Sequence, residues 1–372
     1  MQSKSLKGLA VFTIIFFFAS NLSGTFITIY FRDLGLSIPE IVMILAVTFA
    51  IIGLLPLVLL RAVKNFERII SFGVLFTMLF YIALICVKQP IFLGLAYGLG
   101  IATFWPSFNL LQFRLSETKI RARTVSFFSV VIPSLTSIIG PAVGGFIIQS
   151  TSFAHLFTMV IALYFAAFLL SLKMRFESKA YAFQIPKERK IVAFFVTFIF
   201  WGLIESYWVA YPFFVYKLSG NVLYMGFVYS ATSVVATLLN FMVSWVSDIK
   251  LTRIKYAAVG ATLNALWYFA VAYSSSVYQI VALSILSGLA GAFSLSWFAY
   301  YGDSFGREYH ATILVMMETG LMIGRLINLA PTYVFITGEN YTSYFTLLGA
   351  FALILIPIFV LFKKRIDMKQ TI

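Results

Sequence analysis

Cysteine is almost missing: Cys86 is the only one in 372 residues. That excludes an intramolecular disulfide and any cysteine-rich metal site. Histidine is nearly as scarce, and His155 and His310 both fall in expected loops, far apart, without metal-ligand spacing. Charged residues make up only 11%, against about a quarter in a soluble protein. Acids are the rarer sign, 13 against 27 lysines and arginines. The chain also lacks a P-loop, a dinucleotide-binding glycine fingerprint and a nucleophile-elbow serine. With no catalytic constellation to build on, the expectation is a protein that is not an enzyme and holds no metal or cofactor.

Hydrophobic residues fill the space, at 61% of the sequence. They recur in runs of about 20, the length a helix needs to cross a hydrocarbon core of about 30 Å. The runs fall at 8–31, 38–60, 69–87, 91–113, 122–149, 153–172, 190–214, 222–246, 255–274, 277–300, 310–336 and 341–362. Many are rich in β-branched and aromatic residues, yet strands are not expected, because an open sheet edge cannot sit in lipid and barrel strands are shorter and alternate. The expected fold class is an all-α integral membrane protein of twelve transmembrane helices. Little sequence is left over for a separate soluble domain. The first run, following Lys4 and Lys7, is too long for a cleaved signal peptide and is expected to be an uncleaved first span.

The longest polar stretch, KMRFESKAYAFQIPKERK, lies near the middle and is strongly basic. It divides the chain into an N-terminal six-helix bundle at 1–172, a cytoplasmic linker at 173–190 and a C-terminal six-helix bundle at 191–372. The net charge of +14 would suggest nucleic acid in a soluble protein. Here loop asymmetry accounts for it. With the N-terminus inside, the outside loops hold only Arg32, Lys88 and Lys217, and Arg325 alone falls within a span; every other lysine and arginine is on the inner side. Both termini are then cytoplasmic by the positive-inside rule. The expected location is a plasma membrane, multi-pass, of the prokaryotic inner-membrane kind, and the expected state is a monomer without nucleic-acid partners.

An internal repeat is faintly visible. A shift of 190 superposes Pro141 on Pro331, and a shift of 184 superposes Leu34 on Leu218. Both agree with two six-span halves, a layout common among transporters.

Three motifs carry a family likeness over nearly the whole chain: YFRDLGLSIPEI after the first span, Phe104-Trp105-Pro106-Ser107-Phe108-Asn109 in the fourth, and Gly140-Pro141-Ala142-Val143-Gly144-Gly145 in the fifth. The sequence resembles the major facilitator superfamily, and the third motif is similar to that family's antiporter signature. The resemblance implies a secondary transporter working by alternating access, with Gly140, Pro141 and Gly144 among its moving parts. The simpler reading of the same residues is close helix packing. The family's signature loop between spans 2 and 3 is degraded here to LLRAVKNFERIISFG, without its aspartate. Its counterpart is better kept as Ser244, Asp248, Arg253, Lys255 and Gly260. The resemblance makes Asp248 and Arg253 gate residues; alternatively, Asp248 is an ordinary acid at a helix end.

Charges within spans are the sharpest site candidates, since each costs roughly 2.5–3.5 kcal/mol at mid-bilayer unless it finds a partner or a cavity. Glu205 sits deep in span 7, and helical spacing would place Trp201, Glu205, Trp208 and Pro212 on one face. An acid among aromatics suits a cationic or amphiphilic ligand, and it is placed to carry protons. It could equally hydrogen-bond between helices. Glu318, Arg325 and Asn328 share one face of span 11, beside Gly320 and Gly324. Arg325 could grip an anionic substrate, neutralise Glu318 or Glu205, or snorkel to the lipid edge. Neutral polar residues add possible lining: Asn21 and Thr25, then Trp105, Asn109 and Gln112, then Asn240 and Trp297. The resemblance implies that spans 1, 4, 7 and 10 line the cavity.

Together these expectations describe a secondary transporter that exports a small organic or amphiphilic compound in exchange for protons. The alternatives are an importer or uniporter of a sugar, organic acid or other nutrient, and a non-transporting receptor or scaffold with a transporter's shape.

Overall fold

The computed structural model describes residues 2–63, 66–115, 128, 131–174, 183–188, 190–206, 208–250 and 253–367. Regular structure among them is helical throughout. Among the described residues, eight helices are long and apolar enough to cross a membrane, and Ile70–Cys86, Lys190–Leu203 and Val277–Gly291 are shorter apolar helical stretches. Helix occupies part of each of the twelve expected runs, but two expected spans are interrupted. The first is split by a 3-10 turn at Gly24–Phe26, between α1 (Gln2–Ser23) and α2 (Ile27–Asp33). The seventh is split between α8 (Lys190–Leu203) and α9 (Ala210–Ser219). To complete the labels in chain order, α3 is Ile38–Ala62, α4 Ile70–Cys86, α5 Pro90–Leu115, α6 Ile132–Ser150, α7 Phe153–Lys173, α10 Val222–Lys250, α11 Arg253–Ala272, α12 Val277–Asp303, α13 His310–Thr337 and α14 Tyr341–Asp367.

The chain forms two compact units. One comprises Met1–Gln184 with Ser219–Ser230; the other comprises Ile185–Leu218 with Ala231–Ile372. Local chemistry sets the helix starts. Gly35 adopts φ +80, a left-handed conformation that favours glycine. The Glu40 carboxylate accepts from the Ser37 backbone N–H at 2.8 Å and so helps close the entry to α3. Ser152 Oγ accepts from the His155 N–H and lies 2.8 Å from the ring Nδ1. His155 therefore lies in the first turn of α7 and His310 opens α13, rather than either standing in a loop.

The first unit is built on aromatic stacking and on glycine contacts. Phe16 of α1 lies flat on Phe104 of α5, with centroids 3.7 Å apart, and Phe17, Trp105 and Phe108 fill in around the pair. A side chain at Gly144 would stand 2.0 Å from the Leu22 carbonyl, and one at Gly140 would meet Asn21. The motif's third glycine, Gly145, packs on the backbone of Val222, and Gly226 packs on Pro141. Pro141 offers no N–H, and its neighbour Ala142 donates its N–H to Ser230 Oγ at 3.0 Å. These residues bring the backbones of α1 and α10 against α6 more closely than side chains at the glycines would allow.

The second unit repeats this device between α8 and α13. A side chain at Gly324 would stand 2.0 Å from the Ile199 carbonyl, and one at Gly202 would stand 2.3 Å from that of Leu321. Beside this seam, fully buried Trp297 packs on Phe194 and Phe359, each at 4.7 Å.

Candidate functional site

The break in the seventh span is a built feature of the second unit. In a continuous helix Pro212 would offer no N–H to the Trp208 carbonyl, and its ring would crowd that carbonyl. The helix stops after Leu203 and resumes at Ala210. Carbonyls released by such a break must find donors, because lipid offers none. Tyr268 of α11 donates its hydroxyl to the Ile204 carbonyl, with Ser206 Oγ 3.4 Å from the same hydroxyl. Asn328 of α13 donates Nδ2 to the Glu205 carbonyl at 2.9 Å. Asn328 is itself held by Tyr344 of α14, whose hydroxyl lies 3.1 Å from Oδ1, and Thr332 lies 3.2 Å from that hydroxyl.

The Glu205 side chain lies against the same helix. Arg325 Nε donates to one carboxylate oxygen at 2.7 Å and Nη2 to the other at 3.0 Å, a two-point contact. Trp208 Nε1 donates to Glu205 at 2.8 Å, and its ring lies 5.7 Å from the Arg325 guanidinium carbon. The third guanidinium nitrogen, Nη1, faces Glu318 at 3.6 Å. The side chains of Arg325, Glu205 and Glu318 are 9%, 10% and 15% exposed. One arginine thus stands between two acids in a nearly dry pocket, and the cluster carries one negative charge in excess when all three are ionised.

The expected single face of Trp201, Glu205, Trp208 and Pro212 is not what forms. The unwound segment releases Glu205 and Trp208 from helical register, and they meet through a hydrogen bond at i, i+3. Trp201 remains in α8 and contacts Phe359 instead. Of the options open for Arg325, pairing with acids is the one observed: with Glu205 at two points and with Glu318 at 3.6 Å. In the first unit, Asn21 donates to Thr136 Oγ1 of α6 at 2.8 Å, an inter-helix contact. Trp105 packs on Phe17 while 37% exposed, and Asn109 is half-buried in α5. Asp248 lies near the end of α10 and Arg253 opens α11. Their side chains lie outside the described residues, as do those of Gln112 and Asn240. Ser206, Tyr268, Thr332 and Tyr344 were not anticipated. Nothing in the sequence marks these residues, because the break gives them their role.

Comparison with known proteins follows the same outline. The family model described as "Major Facilitator Superfamily" matches residues 9–193 and again 191–371. "Uncharacterized protein YqgE" of Bacillus subtilis (strain 168) is 27% identical over 184 residues, 45% of this chain and 41% of that protein. The chain therefore spans less than half of that relative's length. "Uncharacterized protein in sodM 3'region" of Geobacillus stearothermophilus is 31% identical over 154 residues, 38% of this chain and 68% of that protein. Among solved structures, the peptide transporter POT in complex with sulfate superposes with a TM-score of 0.78 at 16% identity, covering 98% of this chain and 95% of that one. The nucleoside transporter NupG superposes at 0.69 with 12% identity, covering 96% and 98%.

Proposed function

The chain belongs to the major facilitator superfamily, and on that premise we propose that it exports a small organic cation or cationic amphiphile in exchange for protons. The observation that carries this reading is the charge count at the break. Two acids share one arginine within 4 Å, so the cluster accepts one further positive charge. Either a proton or a cationic group supplies it, but both together would overcharge the site. Mutual exclusion of that kind is the physical requirement for exchange. Trp208, bonded to Glu205, adds an aromatic surface that favours cations.

Trp201 of the second unit and Trp105 and Asn109 of the first are further candidates for cargo contact, whereas Asn21 and Asn328 serve as helix ties. Gly140, Pro141 and Gly144 let backbones meet closely and are candidate pivots for alternating access. Asp248 and Arg253 are assigned to the cytoplasmic gate by family resemblance alone.

The test is thermal unfolding of the purified protein against a chemically varied ligand panel at two pH values. A ligand at 100 times its dissociation constant stabilises the folded state by about 2.7 kcal/mol. Cationic hits that weaken at acid pH support exchange. Anionic hits that depend on Arg325 would replace this reading with an organic-acid carrier.

A further inference from the structure

We infer that Glu318 is the residue that takes up the exchanged proton, while Glu205 stays charged as the fixed partner of Arg325. The inference rests on the proton-exchange reading above and divides its two acids between two tasks. Glu205 is held at every point: both carboxylate oxygens accept from Arg325, one also accepts from Trp208, and its carbonyl accepts from Asn328. Protonating it would break a two-point ion pair and loosen the tie across the helix break. Glu318 meets Arg325 through a single longer approach, 3.6 Å from Nη1, against the two-point grip on Glu205 at 2.7 and 3.0 Å. A proton there weakens one longer contact, leaves the two-point pair intact and removes the cluster's surplus negative charge.

The repeat leads to the same assignment. The shift of 184 superposes Glu205 on Asn21, and each ties its helix to the fifth helix of its own half. That position has a structural task in both halves. The shift of 190 superposes Glu318 on Phe128, which is 3% exposed. The first half buries an apolar ring where the second carries a carboxyl, so the architecture itself does not require an acid at that place.

The surroundings of Glu318 supply few competitors. Arg325 faces it from its own helix and Glu205 from the break. Tyr301 of α12 donates to the Ile313 carbonyl one turn earlier, while Tyr268 of α11 and Tyr344 of α14 stand at the Asn328 end. From α8 come Phe195 and Phe198, against Gly320; the lysine of that helix, Lys190, is engaged by Glu188 and the Ser304 carbonyl.

Infrared difference spectroscopy of the protein in liposomes, acid minus alkaline buffer, reads the proton directly and needs no cargo. The expected result is a protonated-carboxyl band that disappears in Glu318→Gln and persists in Glu205→Gln. A band that survives in Glu318→Gln, or is lost only in Glu205→Gln, overturns the assignment, as does a wild-type protein with no such band. If Glu318→Gln does not fold, Glu318→Asp keeps the test alive: the band's titration midpoint must move. Failure of the export reading is distinguishable, because it appears as absent cargo flux while the band assignment stands.

Discussion

Arg325 faces three carboxylate oxygens, two on Glu205 and one on Glu318. Its value lies in geometry, because a guanidinium is a rigid fork and an ammonium is a point. Removing it strands two acids in a nearly dry pocket. Breaking a buried pair from one side costs about 3–5 kcal/mol. Arg325→Ala should therefore lower stability by about that much, read as a shift in denaturant or thermal midpoint. The double variant Arg325→Ala with Glu205→Ala should cost clearly less than the sum of the two single losses. Equal and additive losses would mean that the pair is not coupled. Arg325→Lys should recover part of the stability but not the two-point contact. At Asn328, replacement by Ala leaves the Glu205 carbonyl unmet, a loss of about 1–3 kcal/mol.

Helices in both units meet through glycine, and the contact distances leave no room for a side chain. A Cβ at Gly324 would sit 2.0 Å from the Ile199 carbonyl, and one at Gly144 would sit 2.0 Å from that of Leu22. Neither neighbour is a flexible side-chain tip, so a backbone must move. Gly324→Leu and Gly144→Leu should each cost about 1–3 kcal/mol or more, checked by the thermal midpoint in detergent. An unchanged midpoint would refute the close approach. The break in span 7 belongs to the same scale. Pro212→Ala restores an N–H for the Trp208 carbonyl. It should favour a continuous helix and pull Glu205 away from Arg325, lowering transport while the protein stays folded. Undiminished transport would show that Pro212 does not set the break.

For the whole molecule, the loop charges predict an orientation that labelling can check. Cys86 is exposed and is the natural cysteine to remove first. In a Cys86→Ser background, a cysteine replacing Lys217 should react with an impermeant thiol reagent added to intact cells. One replacing Lys179 should react only after the membrane is opened. The reverse pattern would invert the topology. The duplication also has consequences at this scale. Each half ties its first helix to its fifth, one through Asn21 and Thr136, the other through Glu205 and Arg325. The charged tie is thus in the second half, and a chimaera that moves it to the first half without Glu318 should not carry proton sensitivity with it.

Apolar runs, loop charges and the scarcity of acids were enough to determine the all-helical membrane class, because a hydrocarbon core admits only closed backbone hydrogen bonding and penalises every buried charge. The same penalty made Glu205, Glu318 and Arg325 stand out at once. What the one-dimensional pattern could not supply was the helix break. Periodicity assumes a continuous helix and so placed Glu205, Trp201 and Trp208 on one face. Tertiary donors on α11 and α13, Tyr268 and Asn328, make the unwound backbone tolerable by satisfying its carbonyls. Only the folded unit decides which acid Arg325 grips and which it merely approaches, since that choice depends on separations of 2.7 and 3.6 Å between residues up to 120 positions apart.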